Sequence, residues 1–177
     1  MPEPSLPEPA ETAPDVDPVT GVRWLTTAEQ AIWRRFAEVL VMLPAALESQ
    51  LQRDSDLTHV GYVVLSALSE QPGRRLAMSL LARRSSSSLS RLSHVVTRLE
   101  SRGWVRRERD PDDGRVQIAV LTESGMAKVV RTAPGHVATV RRLVFDRLTA
   151  EQAAGLAGVA EALLAGRSTA IESDRML

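Results

Sequence analysis

Apolar residues recur at helical spacing along most of the chain and at strand spacing in one short stretch. Trp33, Phe36, Val39, Leu40, Leu43, Leu47 and Leu51 return three and four residues apart, which predicts a long first helix. Thr26 and Thr27 are each followed three residues on by Glu29 or Gln30, so two overlapping capping boxes mark its start. Pro44 lies inside the run, where a kink is expected rather than a stop. A second helix follows Thr58, with Val60, Val63, Val64, Ala67 and Leu68 turned inward, and Gln71-Pro72-Gly73 ends it. Leu76 reads as a very short strand. Met78 to Arg84 predict a short third helix, and Ser85 to Ser88 a turn. Ser88 then caps a fourth helix that reaches about Arg102, with Gly103 as its stop signal. Trp104 to Arg109 and Val116 to Leu121 alternate like strands around the turn sequence Asp110-Pro-Asp-Asp-Gly114, which predicts a β-hairpin. Thr122 caps a fifth helix, expected to break at Pro134-Gly135 and to resume from His136 to Arg147. Thr149 and Gln152 form another capping box at the head of a sixth.

The predicted fold is mainly α with a small β-hairpin, and the order helix, helix-turn-helix, hairpin over residues 57–122 is that of a winged helix-turn-helix lobe. Helical segments over 21–56 and 123–167 flank it, and residues 168–177 read as a flexible end. Residues 1–20 hold six prolines and five acids with almost no large apolar side chain, so they are expected to form a disordered acidic tail.

Composition narrows the chemistry. With 44% hydrophobic residues the chain can bury one core of ordinary size. It has no cysteine, which removes disulfides, thiol chemistry and zinc–thiolate sites. No apolar run is long enough to span a membrane and no basic-then-apolar leader opens the sequence, so a cytoplasmic protein without membrane attachment is expected. His59, His94 and His136 fall in three different elements, and neither a metal site nor a cofactor is expected. No glycine-rich phosphate loop, nucleophile elbow or readable carboxylate cluster appears, so the chain does not read as an enzyme.

Net charge is zero, but its distribution is uneven. Residues 1–73 carry 4 basic and 11 acidic side chains, whereas residues 74–115 carry 11 arginines against 5 acids. A polyanion senses the local face and not the sum, so the middle segment has the footprint of a nucleic-acid binder.

At 100° per residue, Leu89, Leu92, Val95, Val96 and Leu99 share one arc of the fourth helix. Ser90, Arg91, His94, Thr97 and Arg98 share the opposite arc. Guanidinium and hydroxyl groups on a rigid rod suit a major groove, although a solvated helix face has the same composition. Ser88, at the helix N-terminus with its unpaired amides, would stand near a phosphate. The hairpin tip carries Asp112, Asp113 and Arg115. Arg115 suits a minor groove, with Asp113 holding its guanidinium by an ion pair.

These strings together resemble the MarR family of bacterial regulators. The matching residues are Leu81-Ala-Arg-Arg84, Ser90-Arg-Leu-Ser-His-Val-Val-Thr-Arg-Leu-Glu-Ser-Arg-Gly-Trp-Val105, Arg109-Asp-Pro-Asp-Asp-Gly-Arg115 and Val120-Leu-Thr-Glu-Ser-Gly125. With the flanking helices the resemblance covers residues 24–165. It implies a homodimer joined through the first, fifth and sixth helices, so that 21–56 and 123–167 are dimerisation segments. It implies that Ser90, Arg91, His94 and Arg98 lie on the major-groove helix and Asp113 and Arg115 in the wing. It also implies a repressor on palindromic double-stranded DNA, released by a small aromatic or phenolic effector. Ser85-Ser86 stand where the family's turn usually has an apolar residue and glycine, and Leu89 where a polar residue is frequent.

Trp24, Trp33, Phe36, Tyr62, Met78, Trp104 and His136 would line an effector pocket between the first, second and fifth helices, but the same spacing reads equally as core. The rival function is a winged-helix protein-interaction module that antagonises a partner regulator without binding DNA. Retention of Arg91, Arg98 and Arg115 favours the DNA reading over it.

Overall fold

A computed structural model describes residues 16–173, with side chains as far as residue 165. Most of the acidic tail lies outside the described residues. Residues 16–20 form a turn, in which the Asp17 carboxylate accepts hydrogen bonds from the backbone N–H groups of Val19 (2.8 Å) and Thr20 (2.9 Å).

The chain divides into two compact units, Met1–Ala46 and Leu47–Leu177. Most of helix α1 (Thr27–Ser55) lies in the first. Thr26 supplies the capping box: its hydroxyl accepts from the Glu29 N–H at 3.2 Å while the Glu29 carboxylate accepts from the Thr26 N–H at 2.7 Å. The apolar positions of this stretch are not core, since Trp33, Val39 and Leu40 are all exposed.

The second unit holds α2 (His59–Ser69), β1 (Arg75–Ala77), α3 (Met78–Arg84), α4 (Leu89–Ser101), β2 (Val105–Arg109), β3 (Gln117–Leu121), α5 (Glu123–Leu143) and α6 (Ala150–Ser173). The three strands pair antiparallel in the order β1-β3-β2, with Ala119 opposite both Leu76 and Arg107. β3 is the middle strand, and Ile118 to Leu121 are accordingly all buried. Successive side chains of a strand point to opposite faces, so its near-continuous apolar run goes with cover on both faces. Leu51, Val64, Leu65, Leu68, Leu81, Leu92 and Val96 are fully buried and join α2, α3 and α4 into one core with the end of α1. Burying a leucine of this kind stabilises by about 1.5–3 kcal/mol, so this cluster fixes how α4 is presented.

One expectation at the prolines fails: α5 runs on through Pro134-Gly135 without the predicted break, whereas α1 passes Pro44 without a stop, as its reading required. A helical proline costs the carbonyl four residues earlier its donor. The sixth helix also continues to Ser173, past residue 167 where the sequence reading ended it. Among the described residues no helix is long and apolar enough to cross a membrane.

The serine turn carries strain. Ser86 has φ of +49° in the left-handed region, at the position where the family's turn usually has glycine. Ser86→Gly is expected to raise stability by about 0.5 kcal/mol, the net of relieved strain and added chain entropy, read as a higher urea midpoint. A lower midpoint would mean the hydroxyl contributes more than the backbone costs.

Candidate nucleic-acid interface

The site is built on α4. Ser88 is its N-cap, and its hydroxyl accepts from the Arg91 N–H at 3.2 Å, so this side chain serves the helix end first. Leu92, Val96 and Leu99 are buried, with Val95 packed at their edge, which turns Ser90, Arg91, His94 and Arg98 to the exposed face. Leu89 departs from the predicted apolar arc. As the first residue of the helix it has no preceding turn to pack against, and it is 56% exposed.

Thr97 also departs from its expected role. Its hydroxyl donates to the Ser93 carbonyl at 2.9 Å and accepts from Arg107 Nη2 at 2.9 Å. Arg107 reaches across from β2, ion-paired with Glu100 at 2.8 Å and bonded to the Ser93 carbonyl at 2.7 Å. Glu100 in turn accepts from the Arg107 backbone N–H at 2.9 Å. This half-buried clamp ties the hairpin to the exposed helix. The alternating Val105-Arg-Arg-Glu-Arg109 pattern gave the strand but no sign that its middle arginine turns back onto α4.

The hairpin tip is ordered by Asx turns. Asp110 Oδ1 accepts from the N–H groups of Asp112 (2.9 Å) and Asp113 (3.3 Å). Asp113 accepts from the Arg115 backbone N–H at 3.0 Å, and the predicted ion pair with the Arg115 guanidinium is not formed. Asp113 therefore shapes the loop, while the cation it was expected to hold stays free.

Ion pairing sorts the basic segment. Arg74, Arg75, Arg102, Arg106 and Arg107 are paired with Glu123, Glu108, Asp56, Glu108 and Glu100. Arg83, Arg84, Arg91, Arg98, Arg109 and Arg115 have no carboxylate within 4.0 Å among the described residues. The paired cations brace the lobe. Of the unpaired ones, Arg115 borders Ser90 and Ser93 at the head of α4, while Arg91 and Arg98 border the cleft that also holds Glu48 and Asp56.

Within the second unit the residues expected to line an effector pocket divide between the core and two clefts. Tyr62 and His136 meet, with ring centroids 4.5 Å apart, and together with Ser66, Glu70 and Arg84 they border a cavity of about 460 Å³. Met78 is core, and Trp104 lies in another cleft, its ring 5.2 Å from the Arg102 guanidinium and 5.0 Å from Lys128 Nζ. Trp33 and Phe36 pair with each other in the first unit, their centroids 6.4 Å apart. The His59 ring is 6.3 Å from that of His136, yet the described residues include no set of three metal-ligating side chains.

Burial, and then the neighbouring His59, hold the His136 imidazole below its ordinary range. The neutral ring is thus the form the fold keeps. As pH falls below about 6.5 the unfolded chain takes up this proton first, and stability drops until the folded ring titrates as well. Wild-type protein is expected to lose melting temperature more steeply than His136→Gln between about pH 7 and about pH 5.5. Parallel slopes would remove His136 from that linkage.

Comparison with known proteins agrees with this geometry. The profile described as MarR family matches residues 57–116. The structure is similar to Sco3205, a MarR family transcriptional regulator from Streptomyces coelicolor solved in complex with DNA. The two share 49% identity and a TM-score of 0.80 over 82% of this chain and 91% of that one. AbsC, a MarR family transcriptional regulator from the same organism, is 41% identical with a TM-score of 0.79, over 84% of this chain and 99% of its own. The helix-turn-helix-type transcriptional regulator YdcH of Bacillus subtilis (strain 168) is 35% identical over 81 residues, which is 45% of this chain and 55% of that relative.

Proposed function

The chain belongs to the MarR family of transcriptional regulators, and from that membership we propose that it is a homodimeric repressor that binds a palindromic double-stranded DNA operator. The observation that carries the reading is the set of cations that, among the described residues, form no ion pair on the two elements proposed to meet DNA: Arg91 and Arg98 on α4, and Arg115 at the hairpin tip. Two copies of α4 would enter successive major grooves about one helical turn apart, with Ser90, Arg91, His94 and Arg98 at base edges and phosphates. The free Arg115 would enter the flanking minor groove, where negative potential is concentrated. That Sco3205, at 49% identity, was solved with DNA supports the same use of this face.

The dimer reading is supported by large apolar side chains left exposed on α1 (Ile32, Trp33, Leu40) and on α6 (Leu156, Leu163, Leu164). Effector release follows from family resemblance, and the Tyr62–His136 cavity is the place it would act: Val63, Ala67 and the two rings offer apolar contact, with Ser66, Glu70 and Arg84 as polar anchors.

The test is an anisotropy titration at two salt concentrations with DNA from upstream of the protein's own gene and random duplex as competitor. Binding that resists the competitor and weakens with salt is expected. Binding to neither duplex at low salt would overturn the reading in favour of a protein partner.

A further inference from the structure

Its place at the head of α4 leaves the Leu89 side chain outside the core. It stands at the first position of α4, directly after the cap Ser88, and more than half of it is open to solvent. The lobe around it is well packed, with Leu92 and Val96 on the same helix fully buried, so an apolar residue is left out where apolar residues have a core to join. It borders an open depression whose other apolar members are Met78 and Val116 and whose rim carries Ser90, Ser93 and Arg115, which brings the head of α4 and the hairpin tip to one surface.

A helical side chain leans toward the N-terminus of its helix, so Leu89 projects beyond the end of the rod. In a helix-turn-helix protein the N-terminal residues of the recognition helix are the ones that reach base edges. Of the four bases, thymine alone shows an apolar group in the major groove, its C5 methyl. We infer that Leu89 is a specificity-determining residue that packs on a thymine methyl in each half-site and makes the protein select thymine there. The inference rests on the DNA-binding reading above and adds to it the identity of one base. Ser90 and Ser93 beside it then serve as hydroxyl partners to the same or the next base pair, while Arg115 takes the flanking groove.

The experiment uses the full chain and a duplex recovered by that chain from a randomised library. Each thymine of the half-site and its symmetry mate is replaced by deoxyuridine, which removes only the C5 methyl, and affinities are measured for wild type and Leu89→Ala. At one symmetric pair the wild type should lose about fourfold with one half-site altered and about 15-fold with both, the worth of a buried methyl group. Leu89→Ala should bind the thymine duplex more weakly and show no further loss with deoxyuridine. Leu89 is exposed and alanine favours helices, so unchanged thermal melting is expected of the variant. An equal deoxyuridine penalty in both proteins would assign the effect to DNA shape and overturn the inference. So would specific binding that no deoxyuridine weakens, which leaves the regulator reading intact. Failure to recover or bind any duplex would overturn both.

Discussion

Gly125→Ala is expected to lower the free energy of unfolding by about 3 kcal/mol. Gly125 lies in the first turn of α5, where its N–H donates to the Thr122 hydroxyl at 3.0 Å. A methyl group there would stand 2.1 Å from the Trp104 carbonyl oxygen and 2.7 Å from Leu121 Cδ1. The leucine can change rotamer, but the carbonyl is backbone and already accepts from the Thr122 N–H at 3.0 Å. Either α5 or the start of β2 must move, and both are held by the buried Leu121 and Val105. Urea unfolding at fixed protein concentration measures the loss. Gly158→Ala on α6, where an added Cβ meets nothing within 4 Å, is the control and should stabilise slightly through chain entropy. A loss below about 1 kcal/mol at Gly125 would mean that α5 is not seated against the hairpin as described.

Arg98→Ala should weaken operator binding by about 100-fold, since the dimer loses two guanidinium contacts each worth about 1–3 kcal/mol. Arg98 is exposed on α4 with no carboxylate partner, so its removal leaves the fold without a new unpaired charge. Titration against a panel of base substitutions separates two outcomes. If Arg98 reads a base edge, preference relaxes at one position of each half-site. If it touches phosphate, all sequences weaken alike and the salt slope falls by about two units, one for each protomer. Arg115→Ala should cost affinity more than major-groove specificity. A full-affinity Arg115→Ala protein would remove the hairpin tip from the interface.

The elements were legible in the sequence wherever local chemistry decides them. The caps Thr26, Ser88, Thr122 and Thr149 each form the hydrogen bond their spacing announces. The exposed positions of Ser90, Arg91, His94 and Arg98 followed from the phase of Leu92, Val96 and Leu99, because burial of that stripe leaves α4 only one orientation. What could not be read depends on long-range contacts or on helix ends. Periodicity put Thr97 with the groove-facing side chains, yet Arg107, ten positions away in sequence and across the hairpin, takes its hydroxyl. Spacing of two residues put Asp113 beside the Arg115 guanidinium, whereas the shorter route to the backbone N–H wins. Leu89 obeyed the apolar phase but not its consequence, since the first position of a helix has no turn before it to complete the packing. A break was expected at Pro134-Gly135 because the ring opposes a helix interior, but α5 continues through both residues.

If two copies of α4 and two hairpin tips form one symmetric DNA-reading surface, hydroxyl-radical footprinting on the selected duplex will show it. Two symmetric sets of protected sugars are expected, with centres about 10–10.5 base pairs apart and flanking protection that disappears in Arg115→Ala. A single protected set, or uniform protection along the duplex, would contradict that arrangement.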